Sequence, residues 1–240
     1  MMSLDAKALN HQSLNQQIKS MDDDIKICNV LGQRFIAAGM SGKTIDIYGT
    51  PGNALGAYLN GVTINVYGNA QDAVGDTMNS GRINVFGNIG DAPGYAMRGG
   101  KIYVKGNAGY RAGIHMKAYK EHLPVLMIGG KAGSFLGEYQ AGGIIIVLGL
   151  SDDDKDIVAN YPCTGMHGGK MFLRSKCEGI HFPHQVIARP ATADDMDEIK
   201  EYIDEFCEQF GYDAEEIING EFTVITPGSK NPYQQMYVAN

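Results

Sequence analysis

Apolar residues recur along this chain in short alternating runs that return at a fixed interval. Ile45 and Ile47, Ile64 and Val66, Ile83 and Val85, and Ile102 and Val104 stand four and two residues before a glycine. Those glycines, Gly49, Gly68, Gly87 and Gly106, are nineteen residues apart. The same frame fits Leu126 and Ile128 before Gly130, and Ile145 and Val147 before Gly149. Between the paired apolar positions stand Asp46, Asn65, Asn84, Tyr103, Met127 and Ile146, most of them polar or amphipathic. The period is two, so each run is a strand with one buried face. Ile25 with Ile27, and Met171 with Leu173, extend the series to eight strands. A fixed period of this size marks a solenoid.

Further glycines fall into register with the first column. Gly52, Gly90, Gly109 and Gly133 follow the anchor by three residues, with Gln71 breaking the column. Gly56, Gly75, Gly94, Gly113 and Gly137 follow it by seven. Each coil must turn sharply within nineteen residues, and glycine reaches positive φ without a Cβ penalty, so these columns predict corners. Strands that return in the same phase stack in parallel, and parallel crossovers are right-handed in nearly all cases. The predicted fold is mainly β: a right-handed single-stranded parallel β-helix with short α-helical caps. Eight coils at the ordinary interstrand spacing make a rod roughly 35–40 Å long.

Stacking brings equivalent residues together. Asn69, Asn88 and Asn107 share a column and predict an amide ladder, and Tyr48, Tyr67 and Phe86 predict an aromatic one. Two coils are overlong, by five residues within Ile114–Val125 and by seven around Ser151–Pro162. Insertions in a solenoid become surface loops, so partner contacts are expected there. Leu14, Ile18 and Met21 predict a helix over 11–21. Met196, Ile199, Ile203, Phe206, Cys207 and Phe210 predict a longer one, with Thr192 as N-cap and Gly211 as its stop. Open solenoid ends call for caps, and these helices are the candidates. A strand over Phe222–Thr226 and an extended tail with Pro227 and Pro232 follow. The organisation read from this is 1–24 as an N-terminal helical cap, 25–190 as the β-helix, and 191–240 as the C-terminal helix and tail.

Composition narrows the function classes. There are 32 glycines and no collagen triplet, so the excess belongs to the repeat. Net charge is −7, yet residues 191–216 hold eleven acids and one base, Lys200, so the rest is about +3. No Lys/Arg stripe is visible, which argues against a nucleic-acid partner. No apolar run approaches the ~18 residues of a membrane span, and no leader pattern is seen. Cys28, Cys163, Cys177 and Cys207 form no CxxC pair, so a cytoplasmic protein with reduced thiols is expected.

Several motifs imitate chemistry. Ala37-Ala-Gly-Met-Ser-Gly-Lys43-Thr44 resembles a loose Walker A loop, but a repeat strand follows where a helix is needed, and Ala37 replaces the first glycine. Gly87-Asn-Ile-Gly90 resembles a dinucleotide fingerprint, but its recurrence makes it architecture. Cys177, His181 and His184, with His167 or Cys163, fit known zinc spacings poorly. Asp152, Asp153, Asp154 and Asp156 lack the glycine and terminal glutamate of a calcium loop. No Ser/His/Asp set has a recognisable context, residue 2 is Met rather than a nucleophilic cysteine, and no cysteine cluster suits iron–sulfur. The sequence therefore assigns no catalytic, cofactor or metal residue.

The segment Gly49-Thr-Pro-Gly52-Asn-Ala-Leu-Gly56 and its copies closely resemble the C-terminal GXGXG domain of the glutamate synthase large subunit. Asn29-Val-Leu-Gly-Gln-Arg-Phe35, Gly165-Met-His-Gly-Gly169 and Asn231-Pro-Tyr-Gln-Gln-Met-Tyr237 resemble free-standing versions of that domain. The resemblance covers nearly the whole chain. It implies a non-catalytic structural role in an enzyme that makes glutamate from glutamine and 2-oxoglutarate. It also implies that amidotransferase and flavin synthase modules come from separate chains, which would carry FMN and iron–sulfur. No catalytic residue transfers, because the matching motif holds none. A component of formylmethanofuran dehydrogenase, a molybdenum or tungsten enzyme, carries similar repeats and matches the end segments less well. A β-helix scaffold unrelated to either enzyme, and a homo-oligomer, are also open.

Overall fold

The computed structural model of the chain describes residues 1–151 and 156–228. Its core is one eleven-stranded sheet wound into a β-solenoid. In chain order come β1 (Met2–Asp5), α1 (His11–Ser20), β2 (Ile25–Leu31), β3 (Thr44–Thr50) and β4 (Asn60–Tyr67). Next are β5 (Ser80–Val85), β6 (Gly100–Val104), β7 (Pro124–Ile128), β8 (Ala141–Val147) and β9 (Gly168–Leu173). The chain ends with β10 (Val186–Pro190), α2 (Ala193–Phe210), α3 (Ala214–Ile218) and β11 (Thr223–Pro227). Strands β1 to β9 lie in sequence order and pair in parallel, followed by β11 and β10 in antiparallel pairing.

The register is the one the apolar columns predict. Ile45 pairs with Ile64, Ile64 with Ile83, Ile83 with Ile102, Ile102 with Leu126, Leu126 with Ile145, and Ile145 with Met171. All of these are fully buried. A second ladder of bridges joins Ala70, Ile89, Ala108, Ala132 and Val158 on another side of the coil. Both insertions leave the stacked register undisturbed.

The glycine columns work by two different means. In the third column φ is positive, from 64° at Gly137 to 69° at Gly113, as a corner requires. The first two columns serve mainly close approach, although Gly49 (φ 129°), Gly68 (158°) and Gly149 (63°) are also positive. A Cβ on Gly87, Gly106 or Gly130 would lie 2.3, 2.3 or 2.1 Å from Oδ1 of Asn69, Asn88 or Asn107 in the preceding coil. Gly90 and Gly109 stand in the same relation to Asp72 and Asp91. Each of these oxygens accepts a backbone N–H of the next coil: Asn69 from Asn88, Asn88 from Asn107, and Asn107 from Lys131, all at 2.8 Å. The asparagine column is therefore a ladder from side chain to backbone, not the predicted amide ladder. A side-chain ladder does form, but on the outer strand face, from Asn84 to Asn65 and Asn65 to Asp46 at 2.8 Å each. The aromatic column stacks as predicted, with ring centroids 4.7 Å apart for Tyr48–Tyr67 and 4.8 Å for Tyr67–Phe86.

The ends close differently from expectation. Helix α1 caps the first coils through Leu14 and Ile18, both fully buried. Ahead of it lies an unpredicted strand, β1, whose Leu4 pairs with Ile27. Helix α2 has the predicted N-cap at Thr192, which forms a capping box with Asp195, and a left-handed stop at Gly211. It does not cover an end: it lies along the outer face of the sheet, across the strands. Glu198 meets Lys170 on β9, and Gln209 meets Asn84 on β5. Eleven helical residues span roughly 16 Å, close to the ~19 Å of four interstrand steps. Its apolar stripe packs on Tyr103, Met127, Ile146 and Phe172.

The last edge is β10. Bonds from Gly228 N–H to the Gln185 carbonyl and from Ala191 N–H to the Phe222 carbonyl turn the odd residues of this strand towards β11. Of the outward ones, Val186 donates to the Pro183 carbonyl and Pro190 has no N–H, so the edge is poorly fitted to pair with another strand.

The coupling of asparagine and glycine can be measured. Gly106→Ala is expected to cost about 3 kcal/mol, because the Gly87 carbonyl also stands within 2.8 Å of the new Cβ. In an Asn88→Ala background that cost should fall by about 1 kcal/mol. Gly94→Ala, whose Cβ would meet nothing closer than 3.7 Å, should cost only the about 1–2 kcal/mol of a left-handed backbone. Urea unfolding of the four variants tests the cycle, and strict additivity of the first two would refute the shared-space account.

Candidate functional site

The imitated motifs resolve into structure. Lys43 Nζ donates to the carbonyls of Ile18, at 3.3 Å, and Met21, and so caps the end of α1. Thr44 N–H donates to Asp24 Oδ1 at 2.7 Å. The Walker-like segment is thus engaged by α1 and runs directly into β3. Gly87 and Gly90 belong to the close-approach columns.

Cys163 is fully buried with its Sγ 3.6 Å from Met171 Sδ, and burial pushes its thiol far up. Burial also raises the Cys177 thiol, against hydrogen bonds with Thr223 and Ser175. His167 Nδ1 lies 2.9 Å from the Gly165 carbonyl. Among the described residues, no three His, Cys, Asp or Glu side chains converge as metal ligands. Asp152, Asp153 and Asp154, and the segment Asn231–Tyr237, lie outside the described residues; Asp156 is exposed. No helix among the described residues is long and apolar enough to cross a membrane.

Two charged clusters fix α2. Glu205 accepts from Lys101 Nζ at 2.8 Å, Tyr103 Oη at 2.6 Å and Arg82 Nη2 at 2.6 Å. Burial alone would raise this carboxyl, but the bonds from Lys101 and Tyr103 and the charge of Arg82 outweigh it, and its pKa is lowered. At the helix start, hydrogen bonds from Arg189 hold Asp195 well below the usual carboxylate range, against burial and with help from Thr192.

Two surface features remain. One is an open cleft of about 880 Å³ beside the second insertion, lined by Lys131, Asp156, Asn160, Tyr161 and His181 among others. The other is an aromatic face on the coil corners. In each coil anchored from Gly49 to Gly130 the residues five, seven and nine past the anchor are left-handed, as in Arg111 (φ 57°), Gly113 (69°) and His115 (54°), and Tyr161, Cys163 and Gly165 are left-handed in the coil after Gly149. Intercoil bonds impose this: Ala92 N–H donates to the Tyr110 carbonyl at 2.7 Å, Arg111 to Ser134 and Phe135 to Asn160 at 2.9 Å. A non-glycine residue there costs about 1–2 kcal/mol, and a bulky one is unusual.

The first of these positions is Phe35 in the first coil, Ala54, Ala73 and Ala92 in the next three, and then Arg111, Phe135 and Tyr161. Ring contacts link the later coils: Tyr110–Phe135 and Phe135–Tyr161 at 5.2 Å, and His115–Tyr139 at 5.3 Å and nearly parallel. Arg111 lies over Tyr110 and Phe135 and pairs with Glu138 at 2.8 Å. Tyr161 is 65% exposed. This face is not among the sequence expectations, although the nineteen-residue frame, applied to positions other than glycine, aligns its members.

A family model described as the GXGXG motif matches residues 6–227. The chain belongs to the GXGXG motif family. The match is the one expected from the resemblance to the glutamate synthase domain, and it spans every described strand but β1, together with α1 and α2. The chain is also 44% identical to the uncharacterized protein MJ1350 of Methanocaldococcus jannaschii, over 98% of this chain and 95% of that protein. In this GXGXG chain Asn65, Asn69, Asn88 and Asn107 bond within the stack, and Arg82, Lys101 and Tyr103 bond to α2.

The Glu205 cluster gives a pH signature. A lowered folded pKa contributes stability above the unfolded carboxylate value of about 4.3, and that contribution is lost as pH falls through the folded value. Glu205→Gln should lose about 2 kcal/mol at pH 7, and the deficit should shrink in acid. Urea unfolding at pH 7 and pH 3 checks this; an equal deficit at both would contradict the assignment.

Proposed function

We propose that this chain is a non-catalytic structural subunit of a glutamate synthase, holding separately encoded amidotransferase and flavin synthase chains in fixed relation. The observation that carries the proposal is the GXGXG match along residues 6–227. The chemistry of the side chains is in keeping with it. The half-buried carboxylate Glu205 and the buried Asp195 are occupied by donors, and burial holds the thiol of Cys163 protonated. A nucleophile or general base needs a free reactive form within reach of substrate, and these groups lack one. FMN and iron–sulfur clusters belong, on this proposal, to the partner chains, and the complex works in the cytoplasm.

Rigidity is what such a subunit supplies. Two modules held on one rod meet at a high effective concentration, without any new contact between them.

Reconstitution tests the proposal. The purified chain is mixed with the amidotransferase and flavin synthase chains of the same genome, and glutamine-dependent glutamate formation is assayed. At submicromolar chain concentrations the full mixture should exceed the mixture lacking this chain by at least about tenfold. A rate indifferent to the chain would sink the proposal. So would a stoichiometric flavin spectrum in the chain purified alone. Assembly with the chains of a molybdopterin enzyme would transfer it to the formylmethanofuran complex.

A further inference from the structure

The corner face of the later coils combines three properties. It is aromatic, with Tyr110, Phe135 and Tyr161 joined ring to ring. Its side chains stand on left-handed backbone, at φ 61° for Phe135 and 58° for Tyr161, where three earlier coils carry alanine and the first carries Phe35. It is also basic: residues 92–123 hold six Lys or Arg and a single acid, Glu121, in a chain whose net charge is −7, and of the six Arg111 is paired with Glu138 of the next coil. Lys101 and Lys105 turn towards α2, while Arg98, Arg111, Lys117 and Lys120 are exposed. The loop carrying Lys117 and Lys120 is tied to the corner by the bond from Lys117 N–H to the Met97 carbonyl at 3.0 Å.

Bulky residues on strained backbone gain little from solvent, yet Tyr110 and Tyr161 stay exposed. Their arrangement is already fixed by stacking and by the intercoil bonds, so little freedom is lost on binding. We propose that this basic aromatic face docks a protein partner through an acidic surface, and that the partner is one of the chains the scaffold holds. The proposal rests on the structural-subunit reading.

Charge selects the partner's sign, because like-charged surfaces repel and opposite ones steer encounter. Two copies of this face meeting each other are disfavoured for the same reason. Single-stranded nucleic acid is also anionic, but its bases need free ring faces. Here Phe135 contacts a tilted ring on either side and Arg111 lies over Tyr110 and Phe135, so of the three rings Tyr161 is left open, and the surface otherwise offers ring edges, hydroxyls and cations. Exposed tyrosine and arginine in this form are the residues that anchor protein interfaces.

The test uses the full chain with the purified amidotransferase and flavin synthase chains as probes. The variant is Tyr110→Ser/Phe135→Ala/Tyr161→Ala. Each substitution installs a residue that another coil carries at the same position: Ser134 for the first, Ala54, Ala73 and Ala92 for the others. Unchanged circular dichroism and thermal midpoint confirm its fold. Glu201→Ala on the exposed side of α2 is the control.

Binding of at least one probe by the unmodified chain and the control, weakened by rising salt and at least about 30-fold weaker for the triple variant, supports the proposal. Equal binding by the triple variant overturns the docking face and leaves the subunit reading standing. Absence of binding by the unmodified chain overturns both. A single-stranded oligonucleotide, or self-association, that depends on the same three residues overturns the assignment to an acidic protein.

Discussion

The close approach of consecutive coils governs this structure. An oxygen of Asn69, Asn88, Asn107, Asp72 or Asp91 occupies the space where the next coil's residue would carry its Cβ, and glycine leaves that space open. The oxygen then accepts a backbone N–H that a solenoid corner would otherwise leave without a partner. The two requirements interlock, for the asparagine needs the glycine's emptiness and the corner needs the asparagine's lone pair. A slip of one residue would put a side chain into that space and the ladder residues on the wrong face. The nineteen-residue period is therefore enforced at the corners as well as by the aliphatic columns, and extra residues can enter only where the chain leaves the stack.

The same register explains where α2 lies. The outward position of each strand runs from Asp46, Asn65 and Asn84 to Tyr103, Met127, Ile146 and Phe172. Its polar part forms a side-chain ladder with water beyond it, and its apolar part lies under the helix. The change falls at Asn84, which bonds both Asn65 and Gln209 near the helix end. A helix crossing the strands advances about one turn per coil, since 5.4 Å of pitch faces 4.8 Å of stacking, so one apolar stripe can meet one column over several coils. The acids of residues 191–216 follow from this placement. Glu198 and Glu205 reach back to Lys170, Lys101 and Arg82, Asp195 is buried against Arg189 at the helix start, and most of the others face solvent.

The strands, their register and the stacked aromatics are legible in the sequence because alternation and a fixed period leave few other arrangements. Column alignment says which residues lie above one another, but not what each polar atom faces, so it gives the asparagines the wrong partners. The first glycine columns read as corners for a related reason: sequence cannot separate a need for positive φ from a need for space. Strand β1 leaves no trace in the pattern because Met2–Asp5 presents only Leu4 to the core, too little for periodicity to register. Helix α2 is visible from its stripe and caps, yet its docking place is not. The apolar column that receives it looks, in sequence, like half of an alternating strand.

The corner face is hidden when glycines alone are followed through the frame, because its members carry no motif. Its physics differs from that of the core. A left-handed residue at a corner is held by the coils on either side, whatever its side chain, as the common φ of Ala92, Arg111 and Phe135 demonstrates. The backbone there is specified by the stack and the side chain is free to be chosen by the surroundings. Substitution at these positions exchanges one surface for another without touching the aliphatic ladders. A solenoid thus separates the residues that build it from those that present it, and chemistry absent from the core can be supplied by whatever molecule the corners hold.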